Sequence, residues 1–290
     1  EISAATCVAN VGAVLGEGPL WDAREGVLYW LDIKGGKRFR YHPQTKSVVT
    51  YAIDGMFSAM APRRNGGFIA AARDGFFRLS IENGNVLSQP IINPEIDLPR
   101  NRFNDGKADP AGGFWAGTMD DNEEKASGAW WRLSPKGEAV KLIDDFMVTN
   151  GPAFDRGRGR VFLTDSAKRI IYVADTDGAS LGALSTFLQF GKDDGYPDGM
   201  EVDCEGCLWV AFWDGSCVRR FSGSGQKIAE IALPIPRPTS LAIAKAGLYV
   251  TSARIGLSAE ELRAAPQSGG LFYIPIDHDL SNAPQSKYHG

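Results

Sequence analysis

Residues 197–213 read PDGMEVDCEGCLWVAFW: the dipeptide Asp198-Gly199 opens an apolar run, Glu205-Gly206 makes a turn, and a second apolar strand follows. The same phrase recurs in GEGPLWD with Glu17-Gly18, in NDGKAD with Asp105-Gly106, and in TNGPAFD with Asn150-Gly151. Gly106 and Gly151 are 45 positions apart and Gly151 and Gly199 are 48, while the 88 positions from Gly18 to Gly106 make two further steps. Around these phrases, six segments align on a glycine or alanine before an apolar-aromatic strand. They are GVLYWLD from Gly26, GGFIAAA from Gly66, GGFWAGT from Gly112, GRVFLTD from Gly159, GCLWVAF from Gly206 and AGLYVTS from Ala246. Most are followed by another strand after a short polar gap, and often by a fourth such as AVKLI or KIAEIAL.

Alternating β-branched and aromatic residues bounded by Gly, Asp, Asn and Pro are the pattern of strands and turns. Four-stranded units at this period are propeller blades, and six of them predict an all-β, six-bladed β-propeller occupying residues 1–290 as a single domain. A β-sandwich would not generate six equivalent polar starts, and β-helix repeats are much shorter. Ser258–Ala265 (SAEELRAA) is the best short helical candidate.

In a propeller the first strand of each blade lines the central channel, so the polar starts are expected at one mouth of it. Glu17, Asn150 and Asp198 would then offer two carboxylates and one amide oxygen to a single divalent metal ion. Hard oxygen donors suit Ca²⁺ first, then Mg²⁺ or Mn²⁺; Zn²⁺ and Fe²⁺ are compatible but not selected by softness. Ser58-Ala59 and Thr239-Ser240 occupy the same station in the other two repeats and are weak ligands. Asp-Gly and Asn-Gly are also ordinary turn dipeptides, whereas Glu-Gly is not a favoured turn pair. Arg102, two residues before Asn104, would either hold a polar or anionic substrate or pair with a neighbouring carboxylate.

Composition narrows the function classes. The net charge of −4 and the lack of a basic run exclude nucleic acid and anionic membrane as expected partners. No apolar stretch is long enough to span a bilayer, and no signal peptide is visible, although a chain opening on Glu1 leaves room for a removed leader. Cys204 and Cys207 form a CxxC without a second ligand pair, so they are expected to be free thiols in a reducing, cytoplasmic setting. GASLG (Gly178 to Gly182) matches a nucleophile elbow in letters, but turn residues precede it and no strand leads into Ser180. Only three histidines exist and none occupies a blade start, which argues against a Ser-His-Asp triad and against a His-based zinc site.

GEGPLWD, NRFNDGKADPAGGFWAGTM, TNGPAFD and PDGMEVDCEGCLWVA together resemble the SMP-30/gluconolactonase/luciferin-regenerating enzyme family, also called regucalcin-like, and the likeness runs through TSARIGLSAEEL and SGGLFYIPI. The resemblance implies a six-bladed propeller and a sugar-lactone lactonase that takes a small-molecule aldonolactone; a monomer or weak homo-oligomer is expected. It implies that Glu17, Asn150 and Asp198 are the metal ligands, that Asp198 is also the catalytic acid/base, and that Arg102 and Asn104 contact substrate. It moves weight from Asp105 to Asn104. The chain departs from the animal members at Asn122, where they carry a substrate-contacting Glu. A phosphotriesterase-like metal hydrolase on the same scaffold, or a non-catalytic calcium-binding propeller, are the alternatives.

Overall fold

The computed structural model describes residues 4–282 and 286–290. The repeat builds six sheets, each of four antiparallel strands, and the fold is the six-bladed β-propeller that the spacing predicts. The chain divides into two compact units, residues 1–50 with 190–284, and residues 51–189 with 285–290.

The first unit holds three sheets. One is β2 (Gly16–Asp22), β3 (Val27–Asp32), β4 (Lys37–His42) and β5 (Ser47–Ala52). The next is β18 (Tyr196–Val202), β19 (Leu208–Trp213), β20 (Cys217–Phe221) and β21 (Lys227–Ala232). The third is β22 (Pro238–Ala244), β23 (Gly247–Ser252) and β24 (Leu271–Pro275), completed by the N-terminal strand β1 (Thr6–Ala9), with Thr6 opposite Tyr273 and Cys7 opposite Phe272. Between β23 and β24 lies α1 (Ala259–Ala264), which forms where the sequence favours it. Ser258 Oγ accepts the Glu261 N–H and Glu261 Oε2 accepts the Ser258 N–H, a capping box.

The second unit also holds three sheets: β6 (Phe57–Pro62), β7 (Phe68–Ala72), β8 (Gly75–Glu82) and β9 (Asn85–Ile92); β10 (Asn101–Ala108), β11 (Phe114–Asp120), β12 (Gly128–Leu133) and β13 (Ala139–Phe146); and β14 (Thr149–Asp155), β15 (Arg160–Asp165), β16 (Ile170–Asp175) and β17 (Ser185–Gln189). Its C-terminal residues return to it. Tyr288 pairs in parallel with Arg63, is fully buried, and donates its phenol O–H to the Ser134 carbonyl at 2.7 Å.

Burial grades across every sheet. The second strands are buried almost throughout, VLYWLD of β3 and FWAGTMD of β11 at every residue, while the fourth are mostly half-exposed or exposed, as in SVVTYA of β5. This gradient explains the aromatic periodicity: Trp30, Trp115, Trp130 and Trp209 stand fully buried in second and third strands as packing between sheets. Trp209, for example, packs in one cluster with Val218, Leu241, Val250 and Phe272. Among the described residues, no helix is long and apolar enough to cross a membrane.

Candidate active site

The polar stations lie inside the leading strands themselves. In all six leading strands the register against the second strand slips at this station. The shifts fall between Glu17 and Leu20, Phe57 and Ala59, Phe103 and Asp105, Asn150 and Ala153, Pro197 and Met200, and Pro238 and Ser240. A bulge breaks the strict alternation of a strand and re-aims one side chain without ending the sheet. Six bulges at one station are a device for presenting polar side chains from otherwise buried strands.

In the first unit, Glu17 and Asp198 are 3% and 7% exposed, so both carboxylates lie in a low-dielectric setting where charge must be compensated. Gly18 adopts φ +57°, which the bulge after Glu17 requires and a side chain would oppose. The glycine of Asp198-Gly199 answers a different need: a Cβ there would overlap the Ser240 side chain of β22. Asp32, at the end of β3, fixes the approach to β2 by accepting the N–H groups of Val14, Leu15 and Gly35, each at 2.9 Å.

In the second unit, the structure brings Arg102, Asn104 and Asn150 into one buried network. Asn150 donates from Nδ2 to Ser166 Oγ at 2.8 Å, which orients its Oδ1 as the acceptor end of the amide. Asn104 Nδ2 donates to that Oδ1 at 3.3 Å and to the Thr149 carbonyl at 2.8 Å, while Asn104 Oδ1 accepts from Arg102 Nη1 at 2.8 Å. Arg102 Nε meets Asp121 at 2.5 Å, and Arg73 holds the other Asp121 oxygen at 2.5 Å. Arg102 therefore makes the carboxylate pair that was one of its two readings, and the same fork also reaches Asn104.

Asp105 now has a position. The bulge of β10 falls at Asn104, one residue before the site that spacing aligned with Asn150 and Asp198. Asp105 lies past the bulge, 3% exposed, and accepts the Gly106 N–H at 2.7 Å and the Gly151 N–H of the neighbouring sheet at 2.8 Å. It pins the bulge that follows Asn150. Sequence reasoning also missed Asp121 and Arg73, since nothing in their spacing marks them. Asn122 is exposed on the turn after β11.

Elsewhere, among the described residues, Asp203, Glu205 and Cys207 place potential ligand atoms within 4.8 Å of one another. That cluster is a turn rather than a cation site. Arg220 donates to both carboxylates at 2.6 Å, Trp209 Nε1 donates to Asp203 at 2.9 Å, and Asp203 Oδ1 accepts the N–H groups of Glu205 and Cys207. The four cysteines are free thiols, and burial pushes Cys217 up to about 11, which leaves it protonated and unreactive.

The chain matches the model of the SMP-30/Gluconolactonase/LRE-like region over residues 15–254. It is 38% identical over 277 residues to 6-deoxy-6-sulfogluconolactonase of Pseudomonas putida, covering 93% of this chain and 94% of that one. It is 34% identical over 280 residues to regucalcin of Xenopus laevis, covering 92% and 93%. The crystal structure of a calcium-binding protein, regucalcin, from Agrobacterium tumefaciens superimposes with a TM-score of 0.92 at 26% identity over 100% of this chain and 98% of that one. With the family model spanning most of its length, the chain belongs to the SMP-30/gluconolactonase/LRE-like family.

Proposed function

We propose that this protein hydrolyses sugar aldonolactones to aldonic acids, with one divalent metal ion held by Glu17, Asn150 and Asp198. The observation that carries the reading is the shared bulge station. In the first unit it carries two buried carboxylates, Glu17 and Asp198, and in the second an amide, Asn150, whose oxygen end is set by Ser166 and which shares a network with the Arg102–Asn104 pair. The donor set fits a hard cation, Ca²⁺ before Mg²⁺ or Mn²⁺. When bound, such an ion would polarise the lactone carbonyl and stabilise negative charge forming on it.

The chain's own residues supply the remaining steps. Asp198 takes a proton from water as its oxygen bonds to the carbonyl carbon. The ring C–O bond then breaks, and Asp198 returns the proton to the leaving alkoxide, which completes a hydrolysis with no net change at the enzyme. Arg102 and Asn104 orient the lactone's carbonyl and hydroxyl groups. The relative named 6-deoxy-6-sulfogluconolactonase supports the substrate class.

Chelation followed by metal add-back, read as acid release from glucono-, xylono- and arabinonolactone, tests reaction, metal and substrate together. Activity should vanish with the metal and return with it, and Asp198→Ala should abolish it while the fold persists. Full activity in that variant would sink the assignment. A purely calcium-binding role, which the name of the Agrobacterium tumefaciens structure favours, predicts tight metal binding with no turnover of any lactone.

A further inference from the structure

A polar cleft lies in the second unit, built where the C-terminal residues dock. Its volume is about 330 Å³, and it is lined by Arg64, Asp109, Pro110, Arg156, Ser286, Lys287 and His289. Its position is fixed by backbone pairing: Arg64 N–H donates to the Tyr288 carbonyl at 2.8 Å, and His289 N–H to the Gly112 carbonyl at 2.9 Å. Gly112 is glycine for a reason at this point, since a Cβ would overlap the His289 imidazole.

The charge in the cleft is one-sided. Its single carboxylate, Asp109, is buried and already engaged by Arg132 Nε at 2.7 Å and by the N–H groups of Ala111 and Gly113 at 2.8 and 2.9 Å. That leaves Arg64, Arg156 and Lys287. Arg156 donates to Ser286 Oγ, and the side chains of Arg64 and Lys287 make no hydrogen bond or ion pair with the described residues. Three cations in one cleft repel one another, and the repulsion is relieved when an anion sits among them. In a chain of net charge −4, this concentration of positive charge is local.

We propose that this cleft binds the phosphate group of a small molecule. A phosphate dianion matches the excess charge better than a single carboxylate, and its three terminal oxygens suit two guanidinium forks, an ammonium and the Ser286 hydroxyl. The volume is at the lower end of small-ligand sites, roughly 300–1,000 Å³, which admits a phosphate with a short organic arm. The site involves none of the residues assigned to lactone hydrolysis, so it stands or falls independently of that reading.

Calorimetric titration of the metal-loaded chain with inorganic phosphate and with glycerol 3-phosphate, at constant ionic strength, tests it. Saturable binding is expected, weakened at least tenfold by Arg156→Gln and by Lys287→Gln and unchanged in Asp198→Ala. Both cleft variants should keep wild-type melting and lactone turnover. Tighter binding of the ester than of free phosphate identifies an organic phosphate as the ligand; equal binding identifies phosphate itself. Absence of saturable binding, equal binding by the cleft variants, or loss of binding in Asp198→Ala each overturns the proposal.

Discussion

Asp105 shows how a buried carboxylate braces the backbone around the proposed ligand Asn150. Its two oxygens satisfy buried N–H groups on two sheets, and the farther one, Gly151, follows the proposed ligand Asn150. Removing an acceptor from a buried donor costs about 1–3 kcal/mol, so Asp105→Ala should lower the melting temperature and also loosen the Asn150 bulge. The second effect is distinctive. Metal affinity, measured by calorimetry on the metal-free chain, should fall tenfold or more in Asp105→Ala. Asp105→Asn, which keeps one acceptor oxygen, should fall less. A lowered melting temperature with unchanged affinity would show Asp105 to be structural only. Arg102 is tested by the opposite split. Its fork meets Asp121 through Nε and Asn104 through Nη1, and a lysine ammonium on a flexible stem lacks that fixed geometry. Arg102→Lys should therefore raise KM for the lactone about tenfold, near 1.4 kcal/mol, while metal affinity holds. A fall in metal affinity with KM unchanged would contradict the substrate role.

At the scale of strands, the repeat was legible because each blade restates one phrase, and strand grammar is local. Blade count, the free thiols and α1 all follow from short stretches. What spacing could not register is where a strand bulges. A bulge inserts one residue without changing composition, so counting from Gly106 pointed to Asp105 while the slip in β10 falls at Asn104. Two further features were invisible because their partners are distant in sequence: the four-residue β1 on β24, and Tyr288 beside Arg63. The β1 pairing is consequential, since it covers the edge of a strand whose Leu271 and Phe272 are buried. Deleting residues 1–9 exposes that edge, and an unpaired edge strand recruits other chains. The truncated protein should melt roughly 5 °C lower or more and self-associate on concentration, as read by thermal melts and light scattering. Unchanged melting would mean β1 contributes nothing to the third sheet of its unit.

For the molecule as a whole, the response to acid follows from carboxylates spread over both units. Hydrogen bonding from Arg220 holds Glu205 below its usual value, and Lys227 and then Arg219 do the same for Glu230. Backbone and hydroxyl donors lower the others: Ser180 acts on Asp177, Ser258 on Glu261 and Ser281 on Asp279. Each group is more acidic folded than unfolded, so in acid the unfolded chain binds more protons than the folded one. The stability these groups contribute is complete above their unfolded values, about 4 to 4.5, and is lost as pH falls through the lower folded values. Melting temperature should thus be flat from pH 7 to 5 with respect to these groups and fall below about pH 4. Salt separates the two kinds of contact. At 1 M the screening length is about 3 Å, so the share from exposed ion pairs at Glu205 and Glu230 should shrink, while the short hydrogen bonds to Asp177 and Glu261 should keep most of theirs. Metal-free protein is the form to melt, because protonation of metal ligands would add an acid dependence of its own. A melting temperature that rises between pH 5 and pH 3 would contradict the sign, and complete loss of the acid slope at 1 M salt would assign it to the ion pairs alone.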